Sequence, residues 1–298
     1  MKRLFLRWLP RLLWLTGMVA WAQPQPTVLR GTSAPAAFDI RRTQPRTPAR
    51  QDYALLIANG TYDDRRYQRL PNCAHDVDAL RILLNNRFGF TTEVRKDLNY
   101  EDFEAKLTEY AGKTWQDNDQ LLIYIAGHGG FKPGINQGFL VMKDTDKARQ
   151  SPGFPLSYLQ TILKNLACKH ILVVLDVCYG GTFDNAIALE GDVQRGSPVS
   201  EVPPTGSRQA EFIVKKLKPR TRIYVASGGK EPVAEGRPGE HSPFAKALLT
   251  ALDRAASGTD KLLTVYELTS ALEKDVLTLR FGTFDGNQPN SDFLFIAR

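Results

Sequence analysis

A histidine and a cysteine, His128 and Cys178, each stand close after an apolar run, and together these residue types can hydrolyse an amide or an ester. A thiolate is a strong nucleophile, and a nearby imidazole can take the thiol proton and later protonate a leaving group. Glycines flank the histidine on both sides, so a substrate backbone could approach it closely. We expect the backbone amides of Gly129 and Cys178 to stabilise the oxyanion that forms during such a reaction.

The apolar runs at 121–126 and 171–175 must position these two side chains. Continuous apolar segments of this length, closed by glycines, are typical of parallel strands that are buried on both faces. In open parallel sheets, reactive groups lie just beyond the carboxyl ends of the strands. The sequence therefore predicts that His128 and Cys178 lie at the same edge of one sheet.

Strand and helix patterns alternate along the chain. The predicted strands also include 53–58, 92–95, 223–226 and 293–296, and the predicted helices cover 76–88, 100–110, 156–166, 243–256 and 265–279. This alternation predicts an α/β fold with a single, mostly parallel sheet and helices on both faces.

The first 22 residues have the composition of a signal peptide. A basic start is followed by an apolar run and by Ala-Trp-Ala at 20–22, which fits a cleavage site. The run is shorter than the roughly 20 residues that span a bilayer, so cleavage is favoured over an uncleaved anchor, which stays the alternative. We expect an exported protein, periplasmic or secreted, with no stable membrane span after cleavage.

The remaining chain divides by composition. Residues 23–50 are proline-rich and predict an extended linker. We expect one domain over 51–298, in which a large part (51–189) and a small part (223–298) share one sheet. Between them, residues 190–222 are rich in Gly, Pro, Ser and basic residues, which predicts a flexible linker.

Charge and motifs argue against several function classes. The chain has 39 basic and 32 acidic residues, and four of the basic ones lie in the predicted signal peptide. The small remaining excess does not favour nucleic-acid binding, and the sequence has no phosphate loop, no dinucleotide glycine motif and no zinc-type pairing of cysteines or histidines. We expect a monomer.

Disulfide bonds are not favoured by the cysteine positions. Cys168 and Cys178 lie at opposite ends of one predicted strand, about 33 Å apart if extended, which is too far for a disulfide. A bond between Cys73 and Cys168 stays open.

The segments Tyr-Ile-Ala-Gly-His-Gly at 124–129 and Asp-Val-Cys-Tyr-Gly at 176–180 resemble the catalytic strands of caspase-like cysteine peptidases. They are most similar to the bacterial and plant-type metacaspases and orthocaspases. The separation of His128 and Cys178 is also typical of caspases, although the animal-caspase Gln-Ala before the cysteine is not met. The resemblance extends over about 53–295 and implies a cysteine endopeptidase with His128 and Cys178 as its dyad.

Acidic residues predict the substrate pocket. Asp176 lies two residues before Cys178, so both project to one face, where a carboxylate favours a cationic side chain. Metacaspases supply a second carboxylate from a Cys-x-x-Asp element, which Cys73 and Asp76 match. The resemblance implies that Cys73, Asp76 and Asp176 select Arg or Lys before the scissile bond of a peptide or protein. Ala126 replaces a serine common in the family, and Asp76 alone could simply be a charge at a helix start.

The other histidines and acids carry weaker signals. His75, His170 and His241 are interpreted as polar residues without a catalytic role, although His241 flanks a loop predicted to line the substrate groove. Many metacaspases need calcium, for which Asp144, Asp146 and Asp184 are the nearest candidates. Their spacing matches no known calcium loop, so we predict no cofactor but leave calcium open as an unassigned alternative.

Two other functions stay open: a catalytically silent caspase-like binding module, and a dyad hydrolase of another amide or ester. The presence of both His128 and Cys178 favours the endopeptidase. Such an enzyme is predicted to cut itself in the linker at a basic residue, for which the candidates are Arg195, Arg208, Lys215, Lys216, Lys218, Arg220 and Arg222.

Overall fold

Eleven strands and six α-helices lie in the part of the chain that the structure describes, and they carry the apolar patterns of the sequence. A computed structural model describes residues 49–148, 153–183, 203–206, 208–229, 236–237 and 239–298. The strands are β1 (Asp52–Asn59), β2 (Thr91–Lys96), β3 (Gln120–Gly127), β4 (Gly129–Lys132), β5 (Gln137–Leu140), β6 (Phe154–Pro155), β7 (His170–Val177), β8 (Thr221–Ala226), β9 (Leu262–Thr264), β10 (Arg280–Thr283) and β11 (Leu294–Ile296). The helices are α1 (Pro71–Leu83), which continues as a π-helical turn (Leu84–Phe88), α2 (Tyr100–Ala111), α3 (Leu156–Asn165), α4 (Arg208–Leu217), α5 (Pro243–Ser257) and α6 (Val265–Leu272).

Six strands form the central sheet in the order β10-β8-β7-β3-β1-β2. Five of them are parallel, and β10 pairs with β8 in the antiparallel direction. Strands from before and after the predicted linker thus share one sheet. The predicted α/β class, with a mostly parallel sheet and helices on both faces, is confirmed.

Two hydrophobic cores cover the faces of this sheet. Successive strand residues point to opposite faces, so Leu56 packs in the core with α1, α5 and α6, whereas Leu55 and Ile57 pack in the core with α2 and α3. Because both faces are covered, the central strands are almost entirely apolar, which is why their pattern could be recognised in the sequence.

Helix α4 corrects the prediction of a flexible linker over 190–222. Its apolar residues Phe212, Ile213 and Leu217 are buried against β9 and β11, and β8 begins at Thr221. The basic residues between them obscured this amphipathic pattern in the sequence. Residues 190–202 of the predicted linker, the predicted signal peptide and residues 23–48 lie outside the described residues.

Three further features differ from prediction. The helix predicted over 265–279 ends at Leu272, and the last strand pairs with β9 outside the main sheet. The short strands β4, β5 and β6 form a small sheet directly after His128, which the sequence did not indicate. In the part of the chain that the structure describes, no helix has the length and apolar character needed to cross a membrane.

Candidate active site

His128 and Cys178 directly follow the paired ends of two central strands. The parallel register of β3 and β7 pairs residues that are 50 positions apart and ends with Gly127 opposite Val177. The next residue on each strand path is therefore His128 on one side and Cys178 on the other. The sequence separation of the two residues equals the offset of the sheet register, so the structure brings the two segments together.

Gly129 packs directly against the backbone of Cys178. A Cβ atom added at Gly129 would lie 1.9 Å from the carbonyl oxygen of Cys178, far closer than any side chain tolerates. The amide of Val141 donates to the carbonyl of His128 (2.9 Å). Hydrogen-bonded and non-hydrogen-bonded pairs alternate along an antiparallel ladder, so the next pair, Gly129 and Leu140, is not hydrogen-bonded. The N–H of Gly129 therefore points away from β5, toward the other edge of β4.

A backbone carbonyl orients the imidazole of His128. The Nε2 atom lies 2.8 Å from the carbonyl oxygen of Gln68. A carbonyl can only accept, so Nε2 must carry a proton, which leaves the lone pair on Nδ1. Burial lowers the pKa of His128 below its ordinary value, and the charge of Lys147 lowers it further. The amide of His128 also donates to the hydroxyl of Tyr62 (2.9 Å). The result is a fixed, neutral imidazole whose free lone pair is on Nδ1.

Cys178 lies in a tight, glycine-rich turn after β7. Its side chain is half-buried, and Tyr179 has a left-handed backbone (φ 61°), a conformation that costs energy for a bulky residue. The amide of Gly181 donates to the carbonyl of Gly228 (2.7 Å), which anchors the turn to the loop after β8. A side chain held in such a turn has little freedom to move away from the sheet edge.

All three cysteines lie among the described residues, and none is in a disulfide. Cys73 and Cys168 belong to the cores on opposite faces of the sheet, which closes the alternative left open by the sequence. Burial raises the pKa of the Cys168 thiol to about 12, so it is chemically inert.

Asp76 and Asp176 meet at Ser242, the N-terminal cap of α5. The hydroxyl of Ser242 donates to Asp176 (2.6 Å), and its amide lies 3.4 Å from Asp76. Asp176 also accepts a hydrogen bond from Tyr124 (3.2 Å). Burial raises the pKa of Asp176 to about 6, with a further rise from the charge of Asp76, and burial also raises the pKa of Asp76.

Cys73 and Ala126 lie beside this acidic pair. The electrostatic environment of Tyr124 includes Asp176, Asp76 and Cys73, so all four are neighbours. Ala126 pairs with Asp176 in the β3–β7 register and is buried. The structure thus brings together the four residues predicted to bind substrate: Cys73, Asp76, Ala126 and Asp176.

Sequence reasoning missed four contributors to this region: Gln68, Tyr62, Ser242 and His241. Gln68 acts through a backbone carbonyl, which leaves no signature in a sequence. Ser242 before a proline is recognisable as a helix cap, but not as a partner of Asp176. His241 was interpreted as a polar residue; its Nδ1 lies 2.6 Å from Asp76.

The calcium candidates already have protein partners. Asp144 accepts from the amide of Tyr100 (2.9 Å), and Asp146 pairs with Arg66 (2.8 Å). Asp184 lies outside the described residues.

Comparisons with known proteins agree with this architecture. The fold matches the crystal structure of caspase-1 from Spodoptera frugiperda with a TM-score of 0.51 and 17% sequence identity, over 81% of this chain and 90% of that chain. Comparison with curated protein sequences finds no match. The sequence model of the family described as "Caspase domain" matches residues 51–284. The chain therefore belongs to the caspase domain family and carries a caspase-like cysteine peptidase domain.

Proposed function

We propose that this chain is an endopeptidase that uses Cys178 as nucleophile and His128 as general base, and that it cuts peptide bonds after Arg or Lys. The observation that carries the proposal is the β3–β7 register, in which the two residues directly follow paired strand ends. The close packing of Gly129 on the Cys178 backbone supports it, since it brings the segment that carries His128 against the nucleophile.

The tautomer of His128 supports a definite proton path. With Nε2 bonded to the Gln68 carbonyl, Nδ1 takes the proton of the Cys178 thiol as sulfur attacks the substrate carbonyl. The amides of Gly129 and Cys178 donate to the oxyanion, as the outward N–H of Gly129 allows. The imidazolium then protonates the leaving amine, and water, deprotonated by the same imidazole, hydrolyses the thioester.

The acidic pair supports the preference for a basic side chain. Asp76 and Asp176 are 1% and 8% exposed, and two neighbouring carboxylates in such a place are stabilised when a cation lies between them. An Arg or Lys side chain of the substrate is that cation, whereas Asp or Glu would be repelled. Cys73 and Ala126 would bound the same pocket without adding charge.

An arginyl peptide with an electrophilic carbonyl in place of the scissile bond tests this proposal. We expect it to label the native chain rapidly, Cys178→Ala to abolish labelling, and His128→Ala to reduce it by at least about 10³-fold. Because the dyad acts as a unit, the double variant should hydrolyse peptides no worse than either single one.

Cys168→Ala is the matched control, because this buried thiol is distant from the sheet edge and its loss should leave labelling intact. Preference for the aspartyl analogue would contradict the pocket assignment. Failure of both probes to label the chain would instead favour a silent binding module or a hydrolase of a different amide or ester.

Two further expectations remain proposals. We propose export directed by residues 1–22, which lie outside the described residues. We also propose that self-cleavage occurs in the predicted linker, either at Arg195, which lies outside the described residues, or at Lys218 or Arg220 between α4 and β8. The other candidates are less suitable, because Arg208, Lys215 and Lys216 are in α4 and Arg222 is buried in β8. An extended groove binds an unfolded strand more readily than a packed helix.

A further inference from the structure

Two histidines and a carboxylate form a compact cluster beside the acidic pair. His75 and Asp76 lie in α1, and His241 directly precedes Ser242. Each of the three side chains offers one nitrogen or oxygen atom that could bind a metal, and these three atoms all lie within 4.8 Å of one another. Among the described residues, no other group of three histidine, cysteine or acidic side chains meets this condition. The imidazole rings of His75 and His241 are stacked in parallel, with centroids 4.2 Å apart and an interplanar angle of 4°.

We propose that His75, Asp76 and His241 bind a zinc ion. Two imidazole nitrogens and one carboxylate oxygen are a common three-ligand set for zinc, with a fourth position left for water, whereas calcium and magnesium prefer oxygen ligands. Tetrahedral zinc sets its ligand atoms about 3.3 Å apart and lies in the plane of each imidazole that binds it, so the two parallel rings cannot both bind it as they stand. The exposed side chain of His75 must turn out of the stack to bring its nitrogen to the ion.

The cluster is open to solvent on one side and held firmly on the other. His75 is exposed, while Asp76 is almost fully buried. The side chain of Asn72, also in α1, accepts from the amide of Gly239 and donates to the carbonyl of Arg237, both at 3.0 Å. These two bonds hold the loop that carries His241 against α1, so His241 and Asp76 are positioned before a metal arrives and His75 is the ligand that must move.

Zinc at this cluster would also affect catalysis. Asp76 is one of the two carboxylates of the proposed pocket, so a zinc ion bound to it lowers the affinity for a basic side chain of the substrate. This consequence rests on the proposed function; metal binding itself does not.

The test uses the double variant His128→Ala/Cys178→Ala, because the dyad could bind zinc on its own. Titration of Zn²⁺ against a chromogenic zinc indicator should show one equivalent bound. Adding His75→Ala or His241→Asn should weaken binding by at least about tenfold. The matched control is Asp78→Ala, an exposed carboxylate in the same helix that pairs with Lys96, and it should leave the affinity unchanged. Equal affinity in the control and in both histidine variants would overturn the site.

Thermal unfolding supplies a readout that needs no activity. Zn²⁺ should raise the Tm of the double variant and leave that of its His75→Ala derivative unchanged, because a ligand that binds only the folded state stabilises it. An equal Tm rise in both would overturn the proposal.

In the active chain, Zn²⁺ should raise the KM for an arginyl peptide, and His75→Ala should relieve this effect. If Zn²⁺ still inhibits a His75→Ala variant that no longer binds it at the cluster, the proposed effect on catalysis is wrong. If the chain cleaves no arginyl peptide, the proposed function fails, and the titration still decides the metal site.

Discussion

The contact of Gly129 with Cys178 leads to a prediction for a single residue. Gly129→Ala should lower kcat for arginyl peptides by about 10²–10³-fold, because its Cβ would collide with the Cys178 carbonyl and move the proposed oxyanion donor. Steady-state kinetics measures this loss. Gly134→Ala, at a position where no atom lies within 4 Å of the added Cβ, should retain full activity. Parent-like kinetics in Gly129→Ala would show that this amide is not needed.

We predict that the charge on Asp176 lowers the free energy of unfolding, although the proposed substrate pocket needs it. Its pKa of about 6 in the folded chain lies above the ordinary 3.8, so its contribution lowers the free energy of unfolding as pH rises from about 4 to 6. Asp176→Asn keeps an acceptor for Ser242 and removes the charge. We expect it to stabilise the protein by up to about 3 kcal/mol at pH 7.5 and by little near pH 4, while activity on Arg substrates falls more than tenfold.

Urea unfolding of the parent and of Asp176→Asn at both pH values measures the difference in their free energies of unfolding. The other titrating groups are the same in both proteins, so their contributions cancel in this difference. A variant that loses stability equally at both pH values would show that the carboxyl group is needed for packing instead.

At the scale of elements, Asn72 connects α1 to the loop before α5. Asn72→Ala removes both of its bonds to that loop, at a cost of about 1 kcal/mol each. We expect the KM for arginyl peptides to rise several-fold with a smaller change in kcat, because the loop carries His241 and Ser242 to the acidic pair. Asn86→Ala, at an exposed position on the π-helical turn, is the control. A fall in kcat with an unchanged KM would contradict this role.

Helix α4 and the small β4–β5–β6 sheet show why some elements were not predicted. The strands of the central sheet have continuous apolar patterns, but two lysines, one of them buried, interrupt the buried apolar residues of α4, and β6 is only two residues long. Such short elements are stabilised by the neighbours they pack on, so their own sequence carries little signal.

For the whole molecule, sheet continuity predicts that a cut between β7 and β8 leaves the protein assembled. The two strands lie side by side in the sheet with six paired positions. Expressed in parallel, the native chain should show new ends at Arg195, Lys218 or Arg220 by mass spectrometry, and Cys178→Ala should stay intact. The fragments should co-elute in gel filtration and separate only in denaturant. Identical cuts in both chains would point to outside proteases.

The sequence by itself determined the sheet and the position of its reactive residues. Buried parallel strands require continuous apolar runs, and glycines mark their ends, so the β3 and β7 segments and the residues after them could be recognised locally. The acidic residues at 76 and 176 were also found, because a short motif and the two-residue strand period pointed to them.

Only the tertiary structure decided what surrounds these side chains. The Gln68 carbonyl that orients His128 is a backbone group, which every residue type possesses. His241 meets Asp76 across 165 residues of sequence, and Ser242 joins Asp76 and Asp176 across 166 and 66 residues. Contacts of this kind depend on how α1 and α5 pack on one face of the sheet, and local patterns contain no information about that packing.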